Sequence, residues 1–232
     1  MRVIILGLLF FSIACSPQMT LAPQPNLTQS SNMQVLVAKD LPKRFVMAVR
    51  SMRPVLVETC LKLREDRNCD FVISVNLDPM SPPNAFQTVD EKGRPLLLFY
   101  ITLIDDMKNA DEIAFVIGHE GAHHILGHLE HQKKSAAGGA TLFEVLAAAL
   151  GGSAQSVGAA SDIGAAVGAR NYSKNYELEA DRLGAQMTLS GGFDPVIGAA
   201  YFTRIPDPGN KFLGTHPPNR DRIFAVRTAV GR

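Results

Sequence analysis

The chain has no tryptophan, only three cysteines in 232 residues, and no surplus of either charge: 23 Lys and Arg stand against 22 Asp and Glu. Each scarcity closes a route. A net charge near zero leaves no basic surface for a nucleic-acid binder or a polybasic membrane anchor. Three cysteines cannot staple a domain of this size, so the fold must rest on an apolar core, which 232 residues can supply. With 46% hydrophobic and 19% charged residues, wholesale disorder is excluded. The N-terminal apolar run, Val3 to Ile13, falls short of the about 20 residues that a membrane span requires. No internal repeat is visible, which excludes a tetratricopeptide array in this sequence.

What is present begins with an address. Arg2 precedes the apolar run and the small-residue step Ala14-Cys15 ends it, a pattern that predicts an export signal over residues 1–14. Cys15 in that position resembles the lipobox of bacterial lipoproteins, where the cysteine becomes the acylated N-terminus. Ser12 stands where a leucine-like residue is usual, and cleavage after Ala22 is the alternative. Ser16 to Gln34 carry no charge and no apolar period, so residues 15–40 are expected to form a flexible tether. In an exported chain, Cys60 and Cys69 are expected to form a disulfide rather than a metal pair, stabilising the fold by about 2 to 3 kcal/mol.

Residues 41–232 are expected to form one domain. Mixed helical spacing from Leu41 to Arg64, interrupted by Pro54, predicts two helical pieces. Strands are predicted over Phe71–Leu77, Ala85–Val89 and Leu96–Leu103, the last two joined by the turn Asp90-Glu91-Lys92-Gly93. Asn109 followed by Glu112 matches a capping box and predicts a long helix running to about Gln132. The segment 135–169 is rich in Ala and Gly, with Glu144 and Asp162 its only charges before Arg170. It predicts a hairpin of two small-residue helices that buries little apolar area and opens locally as a gate. Further helices are predicted over Asn175–Ser190, ending at Gly191-Gly192, and after Pro217-Pro218.

His119-Glu120-Gly121-Ala122-His123 is an H-E-x-x-H on the predicted long helix. Residues four apart lie only about 40° apart around a helix, so both imidazoles face one point and can share a zinc ion. Glu120, about 100° from His119, can reach water at that metal without ligating it. Counted along the same helix, His124 and His128 fall about 140° and 180° from His119. With His131, they are expected to be solvated or supporting histidines rather than a second metal site. A catalytic zinc needs a third protein ligand and an open position. Glu177 is the candidate; Asp181, four residues on, can accept a hydrogen bond from a ligand imidazole, and Glu179 should point elsewhere. Glu130 is the next candidate after Glu177.

Taken in order, Asn84-Ala85-Phe86, Asp111-Glu112 leading into the H-E-x-x-H, His128, Glu177 with Ala180-Asp181, Gly192-Phe193-Asp194-Pro195, Thr215-His216-Pro217 and Arg222-Ile223 resemble a zinc metalloendopeptidase of the CAAX prenyl endoprotease, HtpX and BepA type, a gluzincin. The resemblance runs from about Asn84 to Arg227. It implies an α+β, mostly helical metalloprotease domain with a small mixed sheet beside the H-E-x-x-H helix. It implies one Zn2+ per chain, ligands His119, His123 and Glu177, and Glu120 as general base, with Asp181, His128 and Arg222 in support. It also implies that the strand near Leu96–Ile101 pairs with an extended substrate. His216 is expected to donate to the oxyanion or to occupy the open zinc position at rest. The membrane helices of the HtpX branch and the repeat domain of the BepA branch have no counterpart in this sequence. The expected partners are unfolded or misassembled envelope proteins, with no nucleic acid and with membrane contact through Cys15 only, on the periplasmic side of the outer membrane. A chaperone-like assembly factor with a structural zinc is the alternative.

Overall fold

The computed structural model describes residues 41–171, 173–207, 209 and 216–232; the expected signal, Cys15, the tether and Thr215 lie outside them. The first helix, α1 (Lys43–Leu63), is continuous through Pro54 rather than broken into two pieces. Phe45, Ala48, Met52, Leu56 and Cys60 recur every three or four residues along it and are all buried on one core. Pro54 lies on the exposed side, where the carbonyl it leaves unpaired can turn to water, so packing on both flanks outweighs the lost bond.

Three strands follow: β1 (Val72–Asn76), β2 (Ala85–Val89) and β3 (Pro95–Tyr100). Their order is β1-β3-β2, with β1 parallel and β2 antiparallel to β3. The third strand is shorter than predicted, because the chain turns into the short helix α2 (Ile101–Asp106) at once. Both sides of β3 are taken by neighbouring strands, so β3 cannot pair with a substrate; the free edges of the sheet belong to β1 and β2.

The H-E-x-x-H helix, α3 (Ala110–Leu126), starts where Asn109 Oδ1 accepts the Glu112 amide at 2.9 Å. Glu112 does not close the expected reciprocal bond: its carboxylate takes the Lys108 amide and a two-pronged pair from Arg204, each bond 2.7 Å. The helix ends at Gly127, not near Gln132. Gly127 is left-handed, with φ 77°, and a side chain there would collide with the Arg67 guanidinium. A separate helix, α4 (His128–Ala149), begins at the next residue. It lies beside α5 (Ala154–Asn171), with Gly164 close against Gly139 and Phe143, and the chain returns through α6 (Ser173–Ser190). After α7 (Pro195–Ala199) and a 3-10 turn (Ala200–Thr203), the last helix, α8 (Asn219–Ala229), packs on α6.

Two close approaches set the position of α3. A methyl at Gly118 would stand 2.7 Å from the Gly184 carbonyl, and one at Gly184 would stand 2.8 Å from the His119 amide. The backbones of α3 and α6 therefore meet directly at the turn bearing His119. Nearly a turn further on, Gly121 accepts the Leu56 side chain of α1. Cys60 and Cys69 are joined by a disulfide, Cα–Cα 5.7 Å, and the loop between them reaches the end of α3. From that loop the Asn68 carbonyl meets His124 Nε2 at 2.8 Å, and Arg64 donates to the Ile125 carbonyl.

Candidate metal centre

His119 and His123 point their Nε2 atoms toward each other, 3.1 Å apart. From α6, Glu177 Oε1 stands 3.3 Å from His123 Nε2 and Oε2 stands 3.7 Å from His119 Nε2. Hydrogen-bond partners at the far side of each ring fix what those atoms can do. His119 Nδ1 is 3.0 Å from Asp181 Oδ1. Arg222 Nη2 is also near, at 3.3 Å, but a guanidinium has no lone pair, so the Nδ1 proton goes to the carboxylate and Nε2 keeps its lone pair.

His123 is set by a longer chain of groups. Glu179 Oε2 lies 3.2 Å from His128 Nε2, and a carboxylate can only accept, so His128 carries its proton on Nε2. Burial, with the charge of His123 second, pushes the His128 pKa down to about 3, which leaves that ring neutral. Its Nδ1 is then an acceptor, 3.0 Å from His123 Nδ1, which must donate. His123 Nε2 therefore also keeps its lone pair. These tautomers follow from the acceptor-only partners at the ends of both chains.

Two imidazole lone pairs and a carboxylate converging on one point repel each other unless a cation lies among them. The groups' own acidities show the same bias. Burial would lower the His123 pKa, but the Glu177 hydrogen bond and the Glu120 and Glu177 charges carry it above its ordinary value. Burial would raise Glu177, yet hydrogen bonds from His123 and His216 and the charges of His119 and Arg222 hold it well below the carboxylate range. Among the described residues, His119, His123 and Glu177 form a cluster that could hold a metal ion, with one ligand atom from each within 4.8 Å of the others. Nitrogen and oxygen donors of this kind suit zinc, whose bonds of about 2.0–2.1 Å put tetrahedral ligands about 3.3 Å apart.

Glu120 opens onto the same cleft without joining the cluster. Loss of hydration pushes its carboxyl above the usual range, although His119 and His123 pull the other way. The cleft has a volume of about 780 Å³ and is bordered by Asn84, Ala85, Phe86 and Gln87 of β2 and its approach, by Phe115 and Tyr201, and by His216. His216 Nδ1 meets Glu177 Oε2 at 2.9 Å, with the ring half exposed. Arg222 binds Asp181 through two bonds of 2.7 and 2.8 Å and lies 3.9 Å over the Phe202 ring.

A family comparison decides what this geometry belongs to: the description of peptidase family M48 matches residues 60–230. The chain belongs to peptidase family M48. That family is one of metallopeptidases, and the mostly helical domain with its small mixed sheet has the family's gluzincin-type fold. A beta-barrel assembly-enhancing protease of Vibrio cholerae is 27% identical over 202 residues, which is 79% of this chain and 42% of the relative. The chain thus spans less than half the length of that M48 relative.

Some placements differ from the sequence reading. Of the two expected surroundings, solvated or supporting, His124 and His128 take buried ones: His124 bonds the Asn68 carbonyl edge-on to Phe71, and His128 supports His123 while stacking on Tyr176 at 4.5 Å. The angle counted for His128 fails because the left-handed Gly127 separates it from α3. Of the three, His131 alone is exposed. Glu130 pairs with Arg67 at 3.1 Å, away from the cluster. Glu179 points away from Glu177 but does not point to solvent alone, since it reaches His128. Tyr176 had no role in the sequence reading and Glu179 was expected only to point elsewhere; one residue before and two after Glu177, neither stands at a spacing that marks it.

Proposed function

We propose that the chain is a zinc-dependent endopeptidase of the cell envelope that cleaves misfolded or misassembled proteins on the periplasmic side of the outer membrane. The observation that carries the catalytic part is the pairing of two imidazole lone pairs and Glu177 with an unligated Glu120 in the same cleft. A purely structural metal site has no use for Glu120. The envelope part rests on the export-like N-terminus and on the relative's name. Casein cleavage by the chain and by its Glu120→Gln variant tests the catalytic reading.

In this proposal His119, His123 and Glu177 hold the zinc, which when bound would act as a Lewis acid on the scissile carbonyl. Glu120 takes a proton from the attacking water on one carboxylate oxygen and delivers it to the departing amine, so the proton count closes. Its raised pKa suits both halves of that cycle. The exposed edge of β2, bordering the cleft at residues 85–87, aligns the extended substrate by backbone hydrogen bonds. Asp181 with Arg222 fixes the His119 tautomer, and Glu179 through His128 fixes that of His123.

His216 acts on the substrate oxyanion. Its Nδ1 proton goes to Glu177, so donation falls to Nε2 of the imidazolium form. His216→Ala should keep its zinc and lose a factor of about 10²–10³ in kcat. Higher activity in that variant would instead mark His216 as a resting-state occupant of the open position. Unchanged kinetics would leave it no role.

Cys15 anchors the chain to the membrane through a diacylglyceryl group. Mass spectrometry of the native protein should find that modification; a mature N-terminus at Pro23 would exclude it.

A further inference from the structure

Among the described residues, the α4–α5 pair packs chiefly on itself, with small contacts to α3 and α6. With 22 residues, α4 is about 33 Å long. Among the described residues, α4 also meets α3, and at its root Leu129 and Gln132 border the cleft. Leu142, Val145, Leu146 and Ile163 are more than half exposed, and Leu150 at the turn is 80% exposed. Among the described residues no helix is long and apolar enough to cross a membrane, so a span does not explain them.

The charge pattern indicates what covers this end. Glu144 and Asp162 lie at similar heights on the two helices, about 9 and 12 Å from the turn. Beyond them, from Val145 to Ser161, no residue on either helix is charged; Gln155 and three serines, Ser153, Ser156 and Ser161, are the polar side chains in a stretch otherwise made of Ala, Gly, Val and Leu. A helix docking into a protein groove keeps charged residues on its outer face, whereas one entering an apolar medium from its end carries charge on no face. The uncharged cap is about as deep as the 5–10 Å to which interfacial helices enter the boundary between headgroups and acyl chains. Leu142 and Ile163 then sit at the rim, beside the two carboxylates at headgroup level.

We infer that the tip of the α4–α5 hairpin, residues 145–161, inserts shallowly into a phospholipid bilayer surface. The tip carries a membrane contact separate from any lipid on Cys15. The two contacts are compatible, because residues 16–40 can span up to about 85 Å when extended. The inference goes beyond the proteolytic reading and does not depend on it.

The absence of tryptophan supplies the test. Leu150→Trp places a single fluorophore at the tip of the full chain, and Phe224→Trp places one at an exposed site on α8. The probe is vesicles of phosphatidylethanolamine and phosphatidylglycerol with brominated acyl chains. Leu150→Trp emission should shift to the blue and be quenched by these vesicles, and Phe224→Trp emission should not. The double variant Leu146→Glu/Leu150→Glu should cleave casein in solution as the parent does while partitioning at least about tenfold less to vesicles once Cys15→Ser removes the lipid. No quenching at the tip, or equal quenching at both sites, would overturn the inference. A blue shift that depends only on protein concentration, or that appears with unfolded casein and no vesicles, would overturn it in favour of a second copy or a substrate segment.

Discussion

Glu120→Gln should bind zinc as the parent does and lose peptide hydrolysis by a factor of about 10²–10⁴. The amide has nearly the shape of the carboxylate, so the cleft and the His119–His123–Glu177 cluster should persist. It cannot take a proton from water at neutral pH, which is the step assigned to it. The pKa of Glu120 is raised by lost hydration at the cleft, and that burial also makes a neutral amide easy to accommodate. A variant folded to the parent's melting temperature, with one zinc and unimpaired casein cleavage, would show that proton transfer lies elsewhere. Loss of zinc together with activity would instead mean that Glu120 supports the metal.

Asp181→Ala should have the largest effect on stability. Asp181 is fully buried and holds Arg222, itself almost buried, through two short bonds. Removing one partner of a buried pair leaves the other charge uncompensated, commonly at about 3–5 kcal/mol. Part of that loss can be recovered here, because Glu177 Oε2 is only 3.5 Å from Arg222 Nη2. That recovery draws Glu177 away from the metal cluster, and His119 loses its Nδ1 acceptor in the same step. Zinc affinity should therefore fall about 10- to 100-fold as well. Asp181→Leu combined with Arg222→Leu separates the two effects. Denaturant unfolding of the double variant should recover most of the stability, since an apolar replacement of a buried pair is often neutral. Its zinc affinity should stay low. Recovery of both would mean that Asp181 acts only as the counter-charge of Arg222.

The parts of the site legible in sequence are those fixed by one turn of helix. His119, Glu120 and His123 are positioned by the period of α3 alone, and Asn109 marks its start. Glu177 was a candidate from its spacing to Asp181 and was fixed as a ligand only by the family resemblance, because nothing local says that α6 returns to α3; the contact is made by Gly118 and Gly184, two glycines with no signature of their own. Phase counting failed beyond Gly127, where one left-handed residue resets the helix, so the counted angle put His128 on a face away from the metal cluster although its supporting role was expected. Its link to Glu179 crosses 51 residues and could not be read from spacing. Pro54 and the end of β3 were misread for a related reason: local propensity proposed a break and an extension, and tertiary packing overrode both.

The central claim is that His119, His123 and Glu177 together hold one catalytic zinc. Elemental analysis of the purified full chain beside Glu177→Ala, with casein cleavage measured on the same samples, tests it most directly. The parent should contain one zinc per chain and cleave casein. Glu177→Ala should lose most of its zinc, and its activity in proportion, while remaining folded. A zinc content near one per chain in Glu177→Ala, with cleavage retained, would contradict the account.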